Sequence, residues 1–125
     1  MRGLTLDAGA LIAFERGDRL VVALVERARQ RGDVLAIPAG VIGQVWRDGS
    51  KQARLAAFLK SPIVEVEILT EQRAREAGQL CGVTKTRDVI DASVVLCARA
   101  REQAVVTSDP QDIEKLDPSL PLIQV

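Results

Sequence analysis

The chain has 125 residues, 47% of them apolar and 27% charged, and its seventeen Lys and Arg balance seventeen Asp and Glu. That length suits one domain with a real core, the composition excludes a disordered chain, and the zero net charge excludes a global attraction to nucleic acid. Histidine and tyrosine are absent and only Phe14, Phe58 and Trp46 are aromatic, which excludes His bases, His metal sites and an aromatic base-stacking platform.

Gly3 to Leu6 reads as a short strand ending at Asp7, and Ala8 to Arg16 reads as a helix. Asp7 therefore stands where an acid either caps a helix or faces a site at a strand end. From Asp18 to Arg31, Leu20, Val21, Leu24, Val25 and Ala28 recur at helical spacing; Asp18 suits the N-cap and Gly32 the stop. The basic residues of this helix read as a solvated face. Val34 to Ile37 is a second buried strand, and Pro38 opens a helix through Trp46 that carries Gln44. After a break at 47–50, Lys51 to Lys60 is helical. Apolar and acidic residues alternate from Ile63 to Ile68, which predicts a strand with Glu65 and Glu67 toward solvent. Thr70 caps a helix to Cys81, Gly82 stops it, and 83–87 is a polar loop.

Asp88 to Ala100 is apolar nearly all round and is expected to be the central buried helix. Asp88 can cap it; Asp91, one turn inside, is costly there unless paired or metal-bound. Ala104 to Val106 is a buried strand. Thr107, Ser108, Asp109 and Asp112 follow it, with a helix to Leu116 and a last strand at Leu122 to Val125. Strands alternating with helices across one domain, residues 1–125, predict an α/β fold with a mostly parallel sheet covered on both faces. Acids at strand ends and helix starts then converge at one edge. The sequence has no apolar run of about 18 residues and no signal peptide, so it reads as cytoplasmic and without a membrane segment, Cys81 and Cys97 being reduced core side chains.

Carboxylates without His or Cys suit a hard cation, Mg²⁺ or Mn²⁺, of the kind that polarises a phosphodiester and helps generate hydroxide. Asp7, Asp91 and Asp109 are the candidate catalytic and metal-ligating acids. Thr107 can orient a metal-bound water or a phosphate, or cap the next helix. Crowded acids repel, so at least one carboxyl pKa should rise and a metal should stabilise the fold. Arg16, Arg47, Lys51, Arg54 and Arg87 are candidate phosphate contacts.

LTLDAGALIA at 4–13, IPAGVIGQVWRDGSKQARLAAFL at 37–59, DVIDASVVLCARA at 88–100 and VVTSDPQDIEKL at 105–116 together resemble the four regions of the PIN-domain family. Within it, the resemblance is to VapC-type toxin ribonucleases of VapBC toxin–antitoxin systems, over essentially the whole chain. It implies a three-layer α/β/α sandwich and Mg²⁺- or Mn²⁺-dependent endoribonuclease cleavage of RNA. It also implies frequent homodimerisation, and neutralisation by a cognate antitoxin whose C-terminal segment covers the active-site groove. By motif position it assigns the acidic site to Asp7, Asp91 and Asp109, with Asp112 as an accessory acid and Thr107 as the hydroxyl residue before the last acid. Gln44 stands where the second region usually has a glutamate, and Asp88 or Asp112 can compensate for the missing charge. Ala8 stands where a hydroxyl residue is frequent. Gln44 keeps a second reading open, a catalytically weakened PIN-like module that binds RNA or a protein. A CheY-like phosphoacceptor fits poorly, because the adjacent acidic pair and the late lysine are missing. Trp46 and Phe58 are candidate anchors for a protein partner.

Overall fold

In the computed structural model, which describes residues 3–125, strands and helices alternate in the predicted order. They are β1 (Leu4–Leu6), α1 (Ala8–Glu15), α2 (Arg19–Arg31), β2 (Leu35–Pro38), α3 (Ala39–Val45), α4 (Ala53–Leu59), β3 (Val64–Glu67), α5 (Glu71–Thr84), α6 (Val89–Arg101), β4 (Ala104–Thr107), α7 (Pro110–Leu116) and β5 (Leu122–Gln124). All neighbouring strands pair in parallel, in the order β3-β2-β1-β4-β5. β2 and β4 are buried at every position, as strands covered on both faces must be.

The strand order places the layers. From β1 the chain steps outward to β2 and β3, then returns past β1 to β4 and β5. Right-handed crossovers put the helices of the first run on one face and those of the second run on the other. The packing agrees: α1 touches α2, α3 and α4, whereas α5, α6 and α7 touch one another. α6 lies across β1, β2 and β4. A single apolar cluster joins the layers through Leu6, Leu11, Leu35, Ile37, Val94, Val95, Val105, Val106 and Ile113.

Local chemistry sets most helix ends. The Asp18 carboxylate accepts the Val21 N–H at 3.1 Å, the Thr70 hydroxyl accepts the Arg73 N–H at 3.0 Å, and Gly32 closes α2 at a φ of 68°. Gly82 does not stop α5, as the sequence suggested. The helix runs on to Thr84 and is closed by Lys85 at a φ of 58°. A glycine inside a helix costs only about 1 kcal/mol, and the Thr84 hydroxyl bond to the Leu80 carbonyl at 2.8 Å helps carry the turn onward.

Glu65 and Glu67 also differ from expectation. Glu65 is exposed, but the Glu67 side chain is only 13% exposed and lies between two arginines. Arg73 Nε donates to it at 2.9 Å, and Arg101 bonds both Glu67 and Glu65. Burial opposes the Glu67 charge, yet the two guanidinium groups outweigh it and hold its pKa below the usual range. The edge strand β3 is thereby tied to α5 and α6. Cys97 sits under this network, where burial and then Glu67 push its thiol up to about 12, as befits an inert core side chain.

Removing Arg101 leaves Glu67 with half its compensation. Arg101→Met should cost about 2 kcal/mol in urea unfolding, whereas Arg75→Met, which breaks the fully solvated Arg75–Glu71 pair, should cost about 0.5 kcal/mol or less. Equal losses would mean that the β3 network contributes nothing special.

Candidate active site

The strand order reverses between β1 and β4, and their following helices leave toward opposite faces. A crevice opens outside the carboxyl ends of such a pair. Asp7 follows β1 there. Its backbone N–H reaches the Val106 carbonyl of β4 at 3.3 Å, and its Oδ1 accepts the Ala10 N–H at 3.0 Å. The two readings of Asp7 are therefore both geometrically true: it caps α1 and it faces the crevice.

Thr107 ends β4 beside it. The hydroxyl bonds the Asp7 carboxylate and accepts the Asp109 N–H at 3.0 Å. It is fully buried. Thr107 is thus not the group that meets a water or phosphate; it fixes Asp7 relative to Asp109 from behind. Gly9 closes the same seam. A Cβ there would fall 2.0 Å from the Ser108 hydroxyl oxygen and 2.9 Å from its Cβ, so a larger residue would have to displace Ser108 for the start of α1 to approach the turn after β4 this closely.

α6 delivers the remaining acids. Asp88 caps it, one oxygen accepting the Ile90 and Asp91 N–H groups at 3.0 and 2.9 Å. Asp91 projects from the first turn. It is half-buried rather than buried, and Val89 beside it is exposed, so the first turn of α6 opens to the crevice instead of lying in a dry core. α3 approaches α6 where Gly40 meets the Ile90 side chain, whose Cδ1 a Cβ at position 40 would have to displace, and this brings Gln44, one turn further along α3, to the rim.

The result is an open pocket of about 330 Å³ lined by Asp7, Gln44, Asp88, Asp91, Asp109 and Asp112, with Gly9, Arg47 and Ser108 beside them. Burial, then the charges of Asp88, Asp7, Asp112 and Asp109, push the Asp91 carboxyl up to about 7. Burial raises Asp7 as well, against hydrogen bonds from Thr107 and the backbone of Ala10 and Gly9. Asp112 is raised chiefly by its hydrogen bond to Asp109. Clustered carboxylate oxygens whose charged forms are disfavoured by burial and by one another suit a hard cation. Among the described residues no three acidic or thiol side chains are drawn to one point, so the donors fit a cation in kind and neighbourhood but not as a closed cage.

Other expectations sort cleanly. Arg47 lines the pocket and Arg87 the space next to it, whereas Arg16, Lys51 and Arg54 line neither. Arg54 instead lies over the Phe14 ring, 5.0 Å from its centroid. Glu15 accepts from Gln52 away from the crevice. Phe58 is buried and stacked on Phe14 at 4.3 Å between centroids, so it is not a partner anchor, while Trp46 remains 38% exposed. The roles of Gly9, Lys85 and Lys115 were not read from the sequence. Gly9 carried a signal, a glycine in the first turn of a helix where it weakens the helix without a steric reason.

No family model matches the sequence, and no curated protein matches it. Solved structures do. The chain is similar to one in the complex of VapBC2 from Rickettsia felis with a DNA fragment from their promoter, with a TM-score of 0.72 and 16% identity, over 98% of each chain. It is similar to a chain of FitAB bound to an IR36 DNA fragment, with a TM-score of 0.67 and 16% identity, over 97% of this chain and 94% of that one. A chain of FitAcB from Neisseria gonorrhoeae gives 0.67 and 16%, over 97% and 96%. The α/β fold with its parallel five-stranded sheet is shared with these chains over nearly their whole length, in keeping with the fold that the sequence resemblance implied.

The Asp91 shift has a sign in stability. Between about pH 4 and about 7 the folded protein keeps a proton that the unfolded chain releases, so the contribution of Asp91 falls as pH rises through that window and is flat above it. In EDTA, the melting temperature of Asp91→Asn should gain on the wild type steadily from pH 4 to 7. A difference that is the same at both ends would remove the upward shift of Asp91.

Proposed function

We propose that the protein is a metal-dependent endoribonuclease toxin that cleaves RNA phosphodiester bonds in the cytoplasm and is neutralised by a cognate antitoxin. One observation carries the reading. Asp7, Asp91, Asp109 and Asp112, which stand after β1, in α6, before α7 and in α7, line a single open pocket at the strand-order reversal. The fold shared with chains of the VapBC2, FitAB and FitAcB complexes supports a protein that works with a partner. The resemblance in the sequence adds homodimerisation.

Asp7, Asp91 and Asp109 would hold Mg²⁺ or Mn²⁺, which supplies charge to polarise the phosphodiester and to favour hydroxide. The chain supplies the rest. Thr107 keeps the Asp7 carboxylate turned to the pocket and ties the backbone of Asp109 to it. Asp88 and Asp112 add negative charge at the rim, and Gln44 offers an amide oxygen without charge. The exposed wall leaves room for a polymer to lie across the acids rather than enter an enclosed cavity.

Gln44 favours a second reading, an RNA- or protein-binding module with weakened catalysis. It occupies the pocket as a neutral group, and the acids are not closed around one point.

Purified protein with Mn²⁺ or Mg²⁺ should cut single-stranded RNA, and Asp7→Asn and Asp91→Asn should each lower kcat about a hundredfold or more. Cutting that persists in both variants would point to another site or another protein. Gln44→Glu should raise metal affinity, read as a lower Mn²⁺ concentration for half-maximal activity. The same titration would leave the binding-module reading ahead if no metal supported cutting in either form.

A further inference from the structure

A second pocket, about 590 Å³, shares Asp88, Asp91 and Asp112 with the acid pocket and is therefore continuous with it. Its far wall is the turn between α5 and α6, with Lys85 and Arg87, and Lys115 of α7. Among the described residues neither Lys85 nor Arg87 forms an ion pair, although carboxylates stand across the pocket. Lys115 reaches only Asp112, at 3.9 Å and in solvent.

The turn is built before any ligand arrives. The Thr86 N–H donates to the Cys81 carbonyl at 3.0 Å. The Thr84 hydroxyl gives its proton to the Leu80 carbonyl, so the 3.1 Å contact between the two threonines has Thr86 as donor. Both hydroxyls are consumed within the turn, and the groups it offers to the pocket are the two cations. Across the acids stands Arg47, whose guanidinium is held by the carbonyls of Gly43 and Trp46 at 3.1 and 2.7 Å.

We infer that the pocket between the α5–α6 turn and α7 is a phosphate subsite for RNA, in which Lys85 and Arg87 hold a backbone phosphate flanking the bond that lies over the acids. This rests on the ribonuclease reading above. Its chemistry follows from sign and shape. Five carboxylates line the acid pocket and repel a polyanion, so an RNA strand needs cations on either side to lie there. Arg87 offers a planar fork to phosphate oxygens and Lys85 a point charge. The contact reads backbone, not base, so it adds affinity without sequence preference.

The test replaces charge without disturbing the turn. Lys85→Gly keeps the left-handed backbone, and Arg87→Gln keeps the length of the side chain. Fluorescent single-stranded RNA is titrated with the double variant and the wild type across about 50 to 200 mM salt, and cleavage is followed with Mn²⁺. The slope of log K against log salt should shrink by about 1.4, about 0.7 per lost phosphate contact, and KM should rise while kcat stays within about twofold. Arg29→Gln with Arg75→Gln, on other surfaces, should leave both readings unchanged. If Lys85→Gly compromises folding, Arg87→Gln alone should shrink the slope by about 0.7. Lys85→Arg with Arg87→Lys should restore most of it.

An unchanged slope and KM in a variant that still cuts RNA overturns the subsite and leaves the ribonuclease reading standing. The same holds for a fall in kcat alone. A wild type that neither binds nor cuts RNA overturns both. Unchanged RNA binding with lost affinity for an acidic protein would reassign the pocket to a protein partner.

Discussion

Mutual repulsion among carboxylates is the constraint around which this protein is arranged. Asp7, Asp88, Asp91, Asp109 and Asp112 share one pocket, and burial together with the charges of the other four raises the Asp91 carboxyl to about 7. Among the described residues only Lys115 pairs with one of these acids, Asp112, at 3.9 Å in solvent; Arg47, Lys85 and Arg87 line the walls without an ion pair to them. An arrangement of that kind is unfavourable for folding and must be offset elsewhere. The offset is visible in the continuous apolar cluster beneath the sheet ends and in the Arg101–Glu67–Arg73 network that closes the far edge.

The acids meet because of topology rather than sequence neighbourhood. β1 sits at the middle of the sheet, between β2 and β4, and eight elements separate β1 from β4 along the chain. Each acid then uses ordinary local chemistry to hold its place. Asp88 caps α6 with one oxygen, and Asp7 caps α1 with Oδ1 while its carboxylate is also held by the Thr107 hydroxyl, yet both line the crevice. Capping and site formation are thus the same act at these positions, and a structural role for an aspartate is no argument against a chemical one.

The fold was largely legible in the sequence because its signals are local. Period-3.6 apolar stripes, the Asp18 and Thr70 caps and the buried runs at β2 and β4 each name an element on their own. The gathering of Asp7, Asp91 and Asp109 was legible through strand-end placement and the motif resemblance. What was not legible depends on contacts between distant segments. Glu67 alternates like a solvent-facing strand residue, but Arg101, thirty-four residues away, draws it inward. Phe58 looked available because nothing local shows that Phe14 stacks on it. Lys85 was hidden by Gly82, a stop signal that the helix overran, and Thr107 showed a hydroxyl without showing that it is sealed behind the acids it serves.

The seam between Gly9 and Ser108 has a consequence for how this protein can vary. The α1 backbone lies against the Ser108 side chain there, so any side chain at position 9 would displace Ser108 or widen the spacing between the segments bearing Asp7 and Asp109. Spacings governed by soft apolar packing drift whenever a core side chain is exchanged. One governed by direct contact of two segments at a glycine drifts less. The apolar interior can therefore be rewritten extensively while the acids keep their separation, and the freedom of the core to change is bought by the lack of freedom at position 9.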